Sequence, residues 1–205
     1  MTRTAALLLL ATTVLLGCGE RSEAPDATAP PEGGDVPTTA RSLAHVAALH
    51  AGEPDSASSE DDASEEFAAK GVGAELRYGS TGEYDGDILV VAVGRGLDPA
   101  LLACDSGQNE YLDGCAVTEQ GTLMWEAVAP EEDPGVVYVA VDKGDAAALL
   151  FYAGPAITDD PRELDLPIST DDLFAIANDP RVDLTTSQDA VDAGAALPYW
   201  QRIGT

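Results

Sequence analysis

Three cysteines and two histidines are the residues best able to carry chemistry in this sequence. Beyond Cys18, the cysteines are Cys104 and Cys115, which flank a turn-rich segment of ten residues. A redox pair would normally be spaced as Cys-x-x-Cys, and zinc would require four ligands that the sequence does not supply. In an exported protein, an even pair of this kind predicts a structural disulfide.

The histidines, His45 and His50, fall within a predicted helix. Five residues of helix turn through about 500°, so the two rings point about 140° apart and cannot share one metal ion. We expect His50 to face the core at the helix end and His45 to face solvent. Neither has a cysteine or carboxylate at ligand spacing, so the sequence assigns no metal ligand and no catalytic triad.

The motifs of common enzyme classes are not matched. Gly79-Ser80-Thr81-Gly82 lacks the G-x-S-x-G pattern of a nucleophile elbow. Gly94-Arg95-Gly96 follows a predicted strand, but the third glycine of a dinucleotide fingerprint is missing. No S-x-x-K, H-E-x-x-H or GxxxxGK[ST] pattern occurs. The sequence therefore predicts no catalytic residue and no cofactor site.

Acidic residues dominate the charge, with 37 Asp and Glu against 10 Lys and Arg and a formal net charge of -27. Such a surface repels phosphate backbones and therefore disfavours nucleic acid as a partner. It is compatible with high solubility, a cationic partner or calcium. The acid pairs occur where turns and helix caps favour Asp, and no EF-hand loop is present. An irregular calcium site built from loop acids stays open, as does a carboxylate-based hydrolase site.

The amino terminus has the pattern of an export signal. Arg3 precedes an uncharged run, Ala5–Leu16, which is followed by Gly17-Cys18. Twelve residues of helix rise about 18 Å, too little to cross the roughly 30 Å hydrocarbon layer. A short apolar run after a basic start is typical of a secretory signal peptide.

The residues Leu15-Leu16-Gly17-Cys18 resemble the lipobox of bacterial lipoproteins. That resemblance implies removal of residues 1–17 as a signal peptide and lipid attachment at Cys18. It further implies a location on the extracytoplasmic face of a cell membrane, with contact to the bilayer through the N-terminal lipid. Two or more acyl chains make such anchoring stable. The resemblance covers the signal region only.

The exported part divides into a linker and one α+β domain. Residues 18–37 are rich in Pro, Gly, Ala and acid, and this composition predicts a disordered stalk. The domain is expected to span 38–205. Its first part contains two predicted helices, 39–50 with Thr39 as the N-cap and 60–70 with Ser59 as the N-cap.

From about residue 74 to 153, apolar runs alternate with turn residues. The runs are ELRYGS, DILVVAVG, ALLAC, CAVT, TLMWEAV, GVVYVAVD and AALLFYA. They predict β-strands, and the short connections between them require antiparallel neighbours. We expect a six- to seven-stranded antiparallel meander with short flanking helices at both ends. DILVVAVG and VVYVAV are apolar on both faces and should lie inside the sheet.

The segment 155–205 is predicted to be helical and contains an internal echo. Asp160-Pro161-Arg162 recurs as Asp179-Pro180-Arg181, and each copy is followed by a Ser cap and a short helix, 171–178 and 188–195. This echo reflects either an internal duplication or the frequent use of the same residue types at turns and helix caps. Tyr199 and Trp200 are expected to pack onto the core.

These features favour a non-catalytic, membrane-tethered binding or adaptor domain of unknown ligand. A basic protein or a cell-wall component fits the charge as a partner. The alternatives are a small envelope hydrolase with a carboxylate-based site and a calcium-dependent surface module. The run GPAITDDPRELDLP resembles uncharacterised lipoproteins of GC-rich bacteria, and no activity follows from that resemblance.

Overall fold

Seven strands pair into one antiparallel sheet, and two very short strands form a second. The computed structural model describes residues 34–60, 67–79, 86–104, 112–128 and 134–201, all within one unit of the chain, residues 31–205. The strands are β1 (Val36–Pro37), β2 (Ser56–Ser59), β3 (Phe67–Tyr78), β4 (Asp87–Leu97), β5 (Gly114–Thr118), β6 (Gly121–Glu126), β7 (Val136–Asp142), β8 (Ala147–Ala153) and β9 (Thr185–Thr186).

The large sheet has the order β2-β3-β4-β8-β7-β6-β5, and every neighbouring pair is antiparallel. The expected α+β class, antiparallel sheet and interior position of β4 and β7 are confirmed. The seven strands form two meanders, β2–β4 and β5–β8. These meet where β4 pairs with β8, from Ile88 opposite Ala153 to Gly94 opposite Ala147. Local hairpins fix each meander, whereas the joining pair depends on contacts far apart in sequence.

One face of the sheet carries the main core beneath three helices. The helices are α1 (Ala40–Ala51), α3 (Thr170–Asn178) and α4 (Gln188–Ala195). The largest fully buried side chains of this core are Leu43, Leu76, Leu89, Leu123, Leu150, Tyr152, Ile157, Leu173 and Ile176. The alternation of strand side chains directs every second residue toward the helices, and burial of this apolar surface is the main stabilising contribution.

The opposite face has a smaller core. Phe67, Met124 and Leu149 are buried there, and Leu101 and Leu102 of α2 (Pro99–Ala103) pack against them. The Thr122 hydroxyl donates a hydrogen bond of 2.7 Å to the Leu102 carbonyl and ties α2 to β6.

Side-chain caps set the helix boundaries as the sequence predicts. Thr39 and Ser42 form a capping box at α1, and Ser169 and Asp172 form another at α3. At α4 the Ser187 hydroxyl accepts a hydrogen bond from the Ala190 amide. Such caps satisfy amides that have no partner inside the helix. The predicted helices 39–50, 171–178 and 188–195 are confirmed within one residue.

The predicted helix 60–70 is wrong over its last residues. Residues 61–66 lie outside the described residues, and Phe67–Tyr78 is strand β3, which pairs with β4. The large sheet therefore begins at residue 56 instead of 74. Few apolar side chains were available to give that helix a core face, while strand pairing buries Phe67 to 5 % exposure. Tertiary pairing thus overrides the capping pattern.

The run ALLAC, expected to be a strand, belongs to the short helix α2. Asp98 is its N-cap and accepts a hydrogen bond from the Ala100 amide at 2.9 Å. Pro99 occupies the first helical position, where a missing N–H costs nothing. The Asp-Pro pair therefore outweighs the strand signal of the apolar residues that follow.

The predicted stalk, 18–37, is shorter than expected at its carboxyl end. Residues up to 33 lie outside the described residues, but Val36 and Pro37 form β1 and pair with Thr186 and Thr185. The Thr38 amide also donates to the Leu184 carbonyl at 3.1 Å. The ordered domain thus includes the last residues that composition alone assigned to the stalk.

The carboxy-terminal segment packs against the β2 edge of the sheet. The Ala57 amide donates to the Tyr199 carbonyl at 3.0 Å, and the Gln201 amide donates to the Ala57 carbonyl at 2.7 Å. The Arg41 guanidinium lies 4.9 Å from the ring centroid of Trp200. Tyr199 and Trp200 are half-buried against the main core, as expected from the sequence.

We expect Trp200→Ala to lower the free energy of unfolding by about 2 kcal/mol, because it removes a half-buried ring and its cation–π contact. Urea unfolding measures the loss. Leu49→Ala is the matched control, since Leu49 is 56 % exposed on α1 and its change should stay within about 0.5 kcal/mol. Equal losses in the two variants would contradict this packing.

Candidate functional site

The cysteines assigned from the sequence have two different outcomes. Cys18 lies outside the described residues, so its lipid attachment stays a prediction. The sulfur atoms of Cys104 and Cys115 are 1.98 Å apart, which is bonding distance. This pair connects the end of α2 to strand β5 at the edge of the sheet. Cys115 packs against the smaller core, so this disulfide has a structural role.

A buried ion cluster forms around Asp179, and the sequence did not predict it. Asp179 Oδ1 accepts hydrogen bonds from the amide and Nε of Arg181, both at 2.9 Å. Asp179 Oδ2 accepts a hydrogen bond from Arg181 Nη2 at 2.7 Å and pairs with His50 Nε2 at 3.0 Å. The Asp179 side chain is 5 % exposed and that of His50 is 28 % exposed.

Helix ends position these groups. Asp179 is the C-cap of α3, and its amide donates to the Ile176 carbonyl. His50 lies in the last turn of α1, where a protonated imidazole would interact favourably with the helix dipole. The ion cluster therefore joins the carboxyl ends of two helices that cover the main core.

The internal echo has the same geometry in both copies. Asp160 accepts hydrogen bonds from the Arg162 amide at 3.0 Å and from its guanidinium, as Asp179 does from Arg181. The difference is in the surroundings, since the Asp160 side chain is 21 % exposed, whereas that of Asp179 is 5 % exposed and also contacts His50. The Asp-Pro-Arg pattern thus specifies a local turn, and among the described residues only the second copy pairs with a histidine from another helix.

Two further basic side chains approach the ion cluster. Lys143 Nζ, in the turn between β7 and β8, donates to the Asp179 carbonyl at 3.0 Å. Burial lowers the pKa of Lys143, although Asp183 and Asp179 counteract part of that effect. Burial and the charge of Arg181 lower the pKa of His45. His45 is half-buried, not solvent-facing as expected.

The electrostatics of Asp179 favour a structural role. Burial alone would raise the pKa of Asp179, but hydrogen bonds from Arg181 and His50 outweigh it and lower the pKa to about 2. Both carboxylate oxygens already accept hydrogen bonds. A carboxylate that stays ionised and fully engaged cannot act as a general acid at neutral pH.

A second buried polar group lies at one end of the sheet. The Tyr152 hydroxyl donates to Asp87 Oδ2 at 2.7 Å and accepts from the Ile168 amide at 3.3 Å. Burial raises the pKa of Tyr152 and of Tyr78, so both phenols stay protonated at neutral pH. Tyr78 carries a buried hydroxyl with no hydrogen-bond partner among the described residues. These contacts tie β8 to β4 and to the segment before α3.

Sequence reasoning missed the ion cluster because His50 and Asp179 are 129 residues apart. Spacing along the chain indicates only neighbours that are close in sequence. It therefore gives no carboxylate partner for His50. The available signals were indirect. They were the position of His50 at a helix end and the recurrence of Asp-Pro-Arg, which predicted a turn at Asp179.

We expect Asp179→Asn to lower the free energy of unfolding by about 3 kcal/mol, because Arg181 loses a buried charged partner. Chemical denaturation at neutral pH measures this. Asp160→Asn changes the equivalent turn of the first copy, where the partner Arg162 is exposed, and should have a much smaller effect. Comparable effects of the two substitutions would show that the turn matters and the buried charge does not.

The stability difference between wild type and Asp179→Asn should depend on pH. The folded-state pKa of Asp179, about 2, is below its ordinary value of 3.8. Ionised Asp179 therefore contributes stability above the ordinary pKa, and this contribution is lost as the pH falls toward the folded-state value. We expect the difference to shrink by about 2 kcal/mol over that interval. A constant difference in acid would contradict the assignment.

Within the described residues, no group of three or more His, Cys, Asp or Glu side chains is arranged to hold a metal ion. None of the helices among those residues has the length and apolar character needed to cross a bilayer. Comparisons with protein-family models, curated proteins and solved structures found no match to this chain.

Proposed function

We propose that this protein is an extracytoplasmic lipoprotein, tethered to a cell membrane through Cys18, whose domain is a non-catalytic binding or adaptor module. The observation that carries the proposal is the Leu15-Leu16-Gly17-Cys18 sequence directly after a short apolar run. The run is too short to be a permanent span and has the length of a cleaved signal.

The cysteines support export. Cys104 and Cys115 are at bonding distance, which uses two of the three cysteines and leaves Cys18 for modification. Disulfides persist in oxidising compartments and are rare in the cytosol. A covalent lipid anchor is also compatible with a net charge of -27, since a surface this acidic gains nothing from anionic head groups.

The charged groups of the described residues do not favour the alternative of a carboxylate-based hydrolase. Asp179 and Arg181, together with His50, satisfy one another's hydrogen bonds and show no nucleophile within the cluster. A hydrolase with a carboxylate acid would need a carboxyl group of raised pKa. Among the described residues, the carboxyl groups whose pKa is clearly shifted are those of Asp160 and Asp179, and both pKa values are lowered.

We expect Cys18→Ala to release the protein from the membrane fraction of the producing cells, because the acyl chains would have no attachment point. Fractionation with immunoblotting measures the distribution, and mass spectrometry of the wild-type amino terminus identifies the acylated cysteine. The matched control is the double variant Cys104→Ala with Cys115→Ala, which removes the other two cysteines and should stay in the membrane. Retention of Cys18→Ala in the membrane would overturn the tether.

A further inference from the structure

The two edges of the large sheet differ in how they are covered. At the β2 edge, Ala57 exchanges main-chain hydrogen bonds with the segment at Tyr199 and Gln201. At the other edge, β5 pairs with β6 alone among the described strands. In an antiparallel strand, alternate residues direct their N–H and C=O groups away from the neighbour. The outer side of β5 therefore offers a row of main-chain donors and acceptors.

Strand β5 lacks the usual protection of an edge strand. Its five residues, Gly-Cys-Ala-Val-Thr, include neither a charge nor a proline, the features that commonly block pairing at an edge. The side chain of Val117 is 62 % exposed. Val117 and Leu49 are the exposed large apolar side chains of the described residues, and only Val117 lies in the sheet.

The strand is also held in place. Cys115 is bonded to Cys104 of the α2 end, and β5 forms a two-residue hairpin with β6 through Thr118 and Gly121. The Trp125 ring lies over Gly114, where an added Cβ would be 1.9 Å from the ring. Because β6 and the disulfide already hold β5 in place, this strand loses little conformational entropy when a further strand pairs with it.

The part of the sequence that contains this edge is rich in acidic residues. Within the stretch 96–142, which contains α2 and strands β5, β6 and β7, the described residues include no Lys, Arg or His and five acids: Asp98, Asp113, Glu119, Glu126 and Asp142. The basic side chains at the ion cluster come from outside this stretch. Asp113 and Glu119, which flank β5 directly, are exposed.

We propose that the outer edge of β5 binds an extended, Lys- or Arg-rich peptide segment of a partner protein as an additional strand. This inference deepens the proposed binding function and rests on it. Main-chain pairing supplies the geometry, and the acidic surroundings select the charge of the partner. A second copy of this chain is disfavoured, because it would bring two acidic edges together.

The edge sets the size and pattern of the bound segment. Five residues of strand extend about 17 Å, so the paired part of the peptide is short. Alternate side chains of the peptide lie on one face, where an apolar residue would contact Val117. Basic residues at the ends would lie close to Asp113 and Glu119.

The experiment measures binding of a fluorescent peptide of alternating Lys and Val to the purified full chain by anisotropy. We expect saturable binding that weakens as salt rises. Val117→Lys places a positive charge on the edge and removes the apolar contact, so we expect an affinity loss of at least about tenfold. Leu49→Lys changes the charge by the same amount at the other exposed apolar residue and should bind nearly as wild type.

Control peptides separate strand pairing from charge attraction. A peptide with the same charge and a central proline cannot pair fully and should bind much more weakly. Equal binding of that peptide, or equal losses from Val117→Lys and Leu49→Lys, would overturn the proposal in favour of diffuse attraction. Absence of peptide binding would overturn it too. Concentration-dependent dimerisation that Val117→Lys abolishes would assign the edge to a second copy instead.

Peptide binding and membrane tethering fail independently. Loss of peptide binding with an acylated, membrane-bound chain removes the edge site and leaves the lipoprotein assignment in place. Peptide binding by a chain that is not acylated at Cys18 removes the tether and leaves the edge site in place.

Discussion

The pairing of β4 with β8 is the interaction on which the rest of the structure depends. It joins two meanders that are each local in sequence into one continuous sheet. Both strands are apolar on both faces, and Leu89, Val91, Leu150 and Tyr152 are fully buried between the sheet and the helices. Without this pair, each meander would expose an apolar edge and half of the helix-covered core, so the two halves should be stable only together.

The β4–β8 pair also determines which strands lie at the two edges of the large sheet. Since β8 occupies the free side of β4, the chain places β5 at the far end of the sheet. The carboxy-terminal segment covers the β2 edge. At the β5 edge, the Cys104–Cys115 disulfide connects β5 to the end of α2. Strand β5 is flanked by the exposed acids Asp113 and Glu119. Topology and charge therefore coincide at one edge, which is the physical basis of the proposed partner.

Local features could be predicted from the sequence, and long-range features could not. The caps Thr39, Ser169 and Ser187 set three helix boundaries, because each cap depends on residues within one turn. The 60–70 helix prediction used the same kind of signal and was wrong from Phe67 onward, because the free energy gained by pairing Phe67–Tyr78 with β4 depends on residues distant in sequence. The strand order and the contact of His50 with Asp179 likewise join distant parts of the chain. The disulfide pairing was predictable because few cysteines were available, and the acylation of Cys18 stays a prediction.

Hydrogen–deuterium exchange along the sheet tests the central claim most directly. If the β4–β8 pair joins both meanders into one cooperative unit, the amides of these two strands should exchange most slowly, with a single free energy equal to that of global unfolding. The outward amides of β5 should exchange fast. Separate unfolding free energies for the two meanders, or outward β5 amides as protected as those of β4, would contradict this account.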